Sequence, residues 1–213
     1  MAISIRRGIR DDAAFIGWVM LAASRGHRPL GVWDVMIGLD EAGCLDYLTR
    51  LARAEPRSLC HYESYLVAEV DGRPAAALCG FATSDGGWVT VGDAAANVTR
   101  DLKFTPEHQA RTQQRSAAIW TCFMPDAADW AVENVATLPQ YRRRGLVDAL
   151  MSRMLDEGRK RGCRRAQITI FIGNDPAQKA YEKAGFKVSD ERRNADFEAL
   201  LGTPGFRRLT RAL

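Results

Sequence analysis

The stretch from Trp130 to Ile172 constrains the fold more tightly than any other part of the chain. Trp130-Ala131-Val132-Glu133-Asn134-Val135-Ala136-Thr137-Leu138 has the composition of a strand, and Pro139 stops it by withholding a ladder donor. A basic turn follows, Gln140-Tyr141-Arg142-Arg143-Arg144-Gly145. Leu146, Val147, Leu150, Met151, Met154 and Leu155 then recur on one helical face, and Gly162 suits the end of that helix. Ala166-Gln167-Ile168-Thr169-Ile170-Phe171-Ile172 is largely apolar on both alternating faces, as a strand inside a covered sheet must be. Asn174 or Asp175 can cap a short helix with Pro176 in its first turn. Gly185 ends that helix before the strand Phe186-Lys187-Val188. Strand, helix, strand, helix, strand in this order implies an α/β domain.

The first half reads less sharply. Ile3 to Arg10 alternates like a strand, and Asp11 or Asp12 can cap a helix carrying Phe15, Ile16, Val19, Met20 and Ala23. A second helical pattern spans about 32–52. Residues 64–70 and 73–81 read as two strands joined at Asp71-Gly72, a hairpin dipeptide. The pattern weakens over about 82–124, which is read as an insertion of helix and loop within a single domain covering 1–213. A short helix over 196–201 and a last strand over 205–213 close the chain, placed to cover an acceptor site or support a dimer.

Composition narrows the function classes. A chain of 213 residues, 46% hydrophobic and 26% charged, is an ordinary globular protein, and no apolar run approaches the length of a membrane span. The N-terminus lacks the apolar core of a signal peptide, so the expected location is cytoplasmic with no membrane partner. Five scattered cysteines and three isolated histidines offer no metal-ligand spacing, so no metal is expected. Residues 142–165 hold nine basic and three acidic side chains, a surplus of six, so with +4 on the whole chain the remainder stands near −2. Such a patch attracts a polyanion, a phosphorylated cofactor or merely water. A nucleic-acid surface would interleave aromatic residues, and none lies between Arg142 and Arg165, so nucleic acid is not the expected partner.

The position of the arginines favours a cofactor. At a strand-to-helix turn, the free amides of Arg143, Arg144, Gly145, Leu146 and Val147 can converge on an anion at the positive end of the helix dipole. Gly145 allows close backbone approach and the guanidinium groups add charge, an arrangement suited to a pyrophosphate. Neither a P-loop nor a GxGxxG fingerprint is present.

Two motifs now coincide. Val135 to Val147 resembles the strand and [Q/R]-x-x-G-x-[G/A] loop of the GNAT family of N-acetyltransferases, and Asn174 to Phe186, NDPAQKAYEKAGF, resembles its N-x-x-A-x-x-x-Y-x-K-x-G-F segment. The match spans about 130–188, the expected cofactor-binding core. One departure is Val147, where the family usually has glycine or alanine. The resemblance implies a mixed, centrally splayed β-sheet flanked by helices, and an enzyme that moves an acetyl or other acyl group from acyl-CoA to a primary amine by direct attack, through a tetrahedral intermediate. Acetyl-CoA is the implied cosubstrate. It implies that Val135, Ala136 and Thr137 meet the pantetheine arm, that an amide at Val135 or Ala136 polarises the thioester carbonyl, and that Arg142, Arg143, Arg144, Gly145, Leu146 and Val147 hold the pyrophosphate. Asn174 and Ala177 are implied as further cofactor contacts, Asn174 against the plainer reading of a helix cap.

Tyr181 matches the family's general acid, a phenol that stays protonated at neutral pH and can donate to a departing thiolate; its alternative is packing of the short helix. Glu133 is the candidate base, with an exposed strand position or a salt bridge to an arginine as the alternative, while Asn134 is expected on the opposite face. His27, His61 and Glu63 reach an acceptor site only if the first-half loops fold over it. Trp33, Trp88 and Trp120 are candidate pocket walls. A small-molecule amine is the expected acceptor, with a protein or peptide amine and a homodimer left open. A silent cofactor-binding module of the same fold and a basic nucleic-acid-binding protein are the alternative functions.

Overall fold

The computed structural model describes residues 2–124 and 126–213, without the side chain of Trp88. Its strands are β1 (Ile3–Arg7), β2 (Tyr65–Val70), β3 (Arg73–Ala82), β4 (Trp130–Thr137), β5 (Arg165–Phe171), β6 (Lys187–Arg193) and β7 (Gly205–Ala212). Its helices are α1 (Ala13–Arg25), α2 (Val32–Ile37), α3 (Glu41–Leu51), α4 (Gly87–Asp101), α5 (Pro106–Trp120), α6 (Leu146–Lys160), α7 (Asp175–Lys183) and α8 (Ala195–Leu201). The strands form one sheet in the order β1-β2-β3-β4-β5-β7-β6, antiparallel except at β4–β5.

That parallel junction is short. β4 and β5 pair at Trp130 with Ala166, Ala131 with Gln167 and Val132 with Ile168, and no further, although both strands run on. β4 stays on β3 as far as Thr137 opposite Ala76, and β5 stays on β7 as far as Phe171 opposite Phe206. Each strand follows its antiparallel partner, so the sheet opens between them. The expected splayed α/β architecture is the one observed.

Alternation along the strands divides the core into two faces. Tyr65, Val67, Ala77 and Cys79 pack under α1, α3 and α4 with Ile16, Met20, Leu48 and Val98. Leu66, Ala68, Leu78 and Ile168 face the other way, against Leu150, Met154 and Tyr181 of α6 and α7. A third cluster, Ile119, Phe171, Phe197, Leu201 and Phe206, ties α5 and α8 to β5 and β7.

Three sequence expectations change. The pattern over 32–52 is two helices, because Gly38 turns left-handed at φ 69° and Asp40 starts a new helix by accepting from the Gly43 amide at 2.8 Å. Residues 82–124 are filled by α4 and α5, of 15 residues each, with Thr105 and Pro106 starting the second. The strand expected at the C-terminus is β7, whose place in the sheet did not show in the sequence: it is inserted within the sheet between β5 and β6, and its Phe206 reaches the central cavity.

α1 and α3 touch through Gly17. A Cβ there would lie 2.9 Å from the Thr49 amide nitrogen and 3.2 Å from the Leu48 carbonyl carbon, both backbone atoms. Gly17→Ala gains about 1 kcal/mol in helix propensity and forfeits about 1–3 kcal/mol to overpacking. The expected net is a lower melting temperature, measured by circular dichroism; a higher one would show that the helices can separate without loss.

Candidate active site

The opening between β4 and β5 leads into a cavity of about 630 Å³. β4 reaches it through an irregularity. Cys79 faces Glu133 and Ala77 faces Ala136, so Leu78 alone stands opposite Asn134 and Val135. The extra residue is a β-bulge, with Asn134 left-handed at φ 52°. Its side-chain nitrogen donates to the hydroxyl of Tyr65 at 3.0 Å, and Tyr65 is wholly buried on the α1 side. Asn134 therefore does not turn to the opposite face from Glu133, as strict alternation would have it. The bulge restarts the alternation, and Glu133, Asn134, Val135, Ala136 and Thr137 all line the cavity.

Glu133 enters beside Cys79, which has no exposed surface. Burial pushes its carboxyl up to about 8, and the nearby charge of Asp126 pushes in the same direction. No arginine pairs with Glu133 among the described residues, so the salt-bridge alternative has no structural counterpart. Tyr181 comes from α7. Its ring packs edge-on to Phe186, 6.4 Å between centroids, and its face lines the same cavity. Burial, and secondarily the Glu133 charge, raise its phenol well above the ordinary value, so it keeps its proton throughout the working range.

Asn174 caps α7, its side-chain oxygen accepting from the Ala177 amide at 3.4 Å, and both residues line the cavity. Gly26 allows this approach, since a Cβ there would stand 2.9 Å from the Asn174 side-chain nitrogen. Thr137 carries a buried hydroxyl with no partner among the described residues, at the edge of the opening. An unsatisfied donor in such a place suits a polar ligand.

The turn between β4 and α6 forms a second concavity of about 360 Å³, lined by Thr137, Tyr141, Arg143, Arg144, Gly145, Leu146, Val147, Asp148 and Lys183. Thr137, Arg143 and Val147 border both spaces, so the two adjoin. Arg142 lines the larger space and donates to the Thr137 carbonyl at 3.4 Å. The Arg144 guanidinium lies over the Tyr141 ring at 5.4 Å. Gly145 is left-handed at φ 75°, and a Cβ on it would meet nothing within 4 Å. The left-handed cap starts α6, and the space beside it is open.

Several lining residues carried no decisive sequence signal. Lys183 stands in the second motif, but its pairing with Asp148 at 2.6 Å across the pyrophosphate-sized concavity depends on where α6 and α7 meet. Asp126 lies in a stretch without periodicity. Trp33 and Trp120 do line the cavity, whereas the side chain of Trp88 lies outside the described residues. His27, His61 and Glu63 do not line it: His61 caps a single 3-10 turn and His27 rests edge-on against Phe171. The far end of the basic patch is structural, with Arg161 paired to Asp85 and the Arg164 and Arg165 amides donating to Asp129. No group of three or more potential ligands is placed to hold a metal ion among the described residues, and no helix there is long and apolar enough to cross a membrane.

Comparison with known proteins decides the family. The model of the acetyltransferase (GNAT) family matches residues 33–186, which include both motifs and most of the cavity lining. The chain belongs to the GNAT family of acetyltransferases. This family uses acetyl-CoA. Over 61 residues the chain is 38% identical to the ribosomal protein bS18-alanine N-acetyltransferase of Escherichia coli K12. That match spans 29% of this chain and 41% of that enzyme, less than half the length of either. Among solved structures, an acetyltransferase superposes with a TM-score of 0.69 at 15% identity, covering 98% of both chains. The N-acetyltransferase of Staphylococcus aureus Mu50 gives 0.64 at 19% identity, covering 98% of this chain and all of the other. The N-acetylglutamate synthase of Neisseria gonorrhoeae, complexed with coenzyme A and N-acetyl-glutamate, gives 0.50 at 11% identity, with 35% of that chain covered. These structures share the fold with this member of the GNAT family.

The buried carboxyl of Glu133 has a consequence for stability. Its folded pKa, about 8, lies above the roughly 4.3 of an unfolded glutamate. Between those values the unfolded chain releases the proton and the folded one retains it, so this residue lowers stability progressively as pH rises from about 4.3 to about 8. Glu133→Gln removes that effect. Its melting temperature relative to the parent protein is expected to rise by several degrees between pH 5 and pH 8.5; an unchanged difference would mean that the carboxyl titrates normally.

Proposed function

We propose that this protein is an N-acetyltransferase that transfers acetyl from acetyl-CoA to a primary amine, with Glu133 as base and Tyr181 as acid. The observation that carries the reading is the meeting of a proton-holding phenol and an elevated carboxyl in one cavity, where the sheet opens and a helix N-terminus borders the adjoining concavity. The two spaces fit the donor: the unpaired first amides of α6 with Arg143, Arg144 and Lys183 suit a pyrophosphate. Backbone groups of β4 beyond Val132 have lost β5 as a partner and can bond a pantetheine arm, with Thr137 alongside. Asn174 and Ala177 border the same space.

Acetyl-CoA supplies an acetyl group activated as a thioester. The protein's own groups manage the protons. An ammonium acceptor gives one proton to Glu133 and becomes a nucleophile. It loses a second as the nitrogen–carbon bond forms and the carbon–sulfur bond breaks. Tyr181 protonates the departing thiolate, and the second proton restores the phenol. In this reading an amide of Val135 or Ala136 polarises the carbonyl, a contribution typically worth about 3 kcal/mol.

Thiol release measured against pH tests the assignment. In the parent protein kcat/KM is expected to rise with its midpoint near pH 8 and to level off only at higher pH, because the base works only when deprotonated. Glu133→Gln should abolish that limb and lower kcat about 100-fold, a typical loss for a removed general base. Tyr181→Phe should lower kcat by a similar factor while acetyl-CoA binding, measured by calorimetry, holds. Unchanged turnover in either variant removes that residue from its role, and absence of acetyl-CoA binding at micromolar concentration overturns the reading as a whole.

A further inference from the structure

The acceptor end of the cavity is built differently from the donor end. Trp18, Trp33, Met36, Val91, Trp120 and Phe123 wall it, contributed by α1, α2, α4, α5 and the chain that follows α5. Trp120 remains 46% exposed although its ring packs, tilted, against Phe123 at 4.3 Å between centroids. Large apolar groups left in water beside an opening suit an apolar ligand.

Charge divides the cavity in the same way. Its positive lining residues, Arg142 and Arg143, come from the turn before α6, whereas its negative ones, Asp126 and Glu133, come from the chain before β4 and from β4 itself. Asp126 is held in place. Gln167, 4% exposed at the last paired stretch of β4 and β5, donates to one oxygen of Asp126 at 2.5 Å and accepts from the Ala127 amide at 2.8 Å. The other oxygen of Asp126 has no partner among the described residues. A buried amide thus holds the carboxyl of Asp126, an exposed residue that lines the cavity with Glu133. The two carboxyls repel each other, and a cation beside them relieves that repulsion.

From this arrangement we infer that the acceptor is a primary amine borne on an aromatic or branched apolar body and lacking a carboxylate, its ammonium held by Asp126 beside Glu133. Asp126 is a specificity residue, and Gln167 positions it. A carboxylate next to the amine would meet two like charges. A polyamine would leave the aromatic walls without a counterpart, and a peptide would have to bury its polar backbone against them.

The inference rests on the acetyl-CoA reading above, and one set of measurements separates the two. Thiol release is followed with 2-phenylethylamine, phenylalanine, spermidine and a peptide beginning with alanine, alongside calorimetry with acetyl-CoA. The expected result is a kcat/KM for 2-phenylethylamine at least tenfold above each of the others. Asp126→Asn should raise its KM at least fivefold more than it lowers kcat, narrow the preference over phenylalanine, and leave the Kd for acetyl-CoA unaltered. Gln167→Glu, which removes the donor to Asp126, should shift KM in the same direction. Equal or better use of phenylalanine, spermidine or the peptide overturns the inference, as does an unchanged KM in Asp126→Asn. Acetyl-CoA binding without turnover of 2-phenylethylamine overturns the acceptor assignment alone; no acetyl-CoA binding overturns both.

Discussion

Everything distinctive in this structure depends on a conflict at the middle of the sheet. β4 is bound along its length to β3, and β5 along its length to β7, both antiparallel. Each partnership dictates its own twist, and the parallel ladder between β4 and β5 holds for only three residue pairs before the two halves part. A sheet normally hides its backbone polar groups within its ladders. Here a row of them faces a gap, and the gap is floored by apolar and aromatic side chains. Binding capacity follows from the unmade ladder rather than from any loop added to the fold.

The bulge at Asn134 turns that gap into a place for chemistry. Without the extra residue, alternate side chains of β4 would be spent on packing both faces of the sheet. With it, five consecutive residues border one cavity, beginning with Glu133, whose surroundings raise its carboxyl. The cost of a left-handed asparagine, on the order of 1 kcal/mol, is offset by the Asn134 bond to the buried Tyr65. Backbone strain and an elevated carboxyl therefore stand side by side in β4, at Asn134 and Glu133.

The second half of the chain was legible because its signals are local. Pro139, Gly145, Gly162, Asn174 and Gly185 each punctuate an element, and the periodicity between them has one reading. Tyr181 and the arginine turn could be placed from spacing along single elements. Asn134 was misjudged because a bulge is a property of a strand pair: nothing in Glu133-Asn134-Val135 says that Leu78 will face two residues at once. Asp126, Gln167 and the Lys183–Asp148 pair were invisible for the same reason, since their partners lie 35 or more residues away. The break at Gly38 was available in principle, since glycine two residues before a capping aspartate is a local signal, but the apolar pattern on either side obscured it.

The position of β7 also bears on how such a chain is made. It supplies the second edge of β5 and the only strand neighbour of β6. During synthesis from the N-terminus, β5 and β6 therefore emerge and wait, one half-paired and the other unpaired, until residues 205–212 follow. The half of the sheet that bears Tyr181's helix cannot close earlier, so the first half, with its sequential β1-β2-β3 pairing, is free to settle before the cleft between β4 and β5 exists at all.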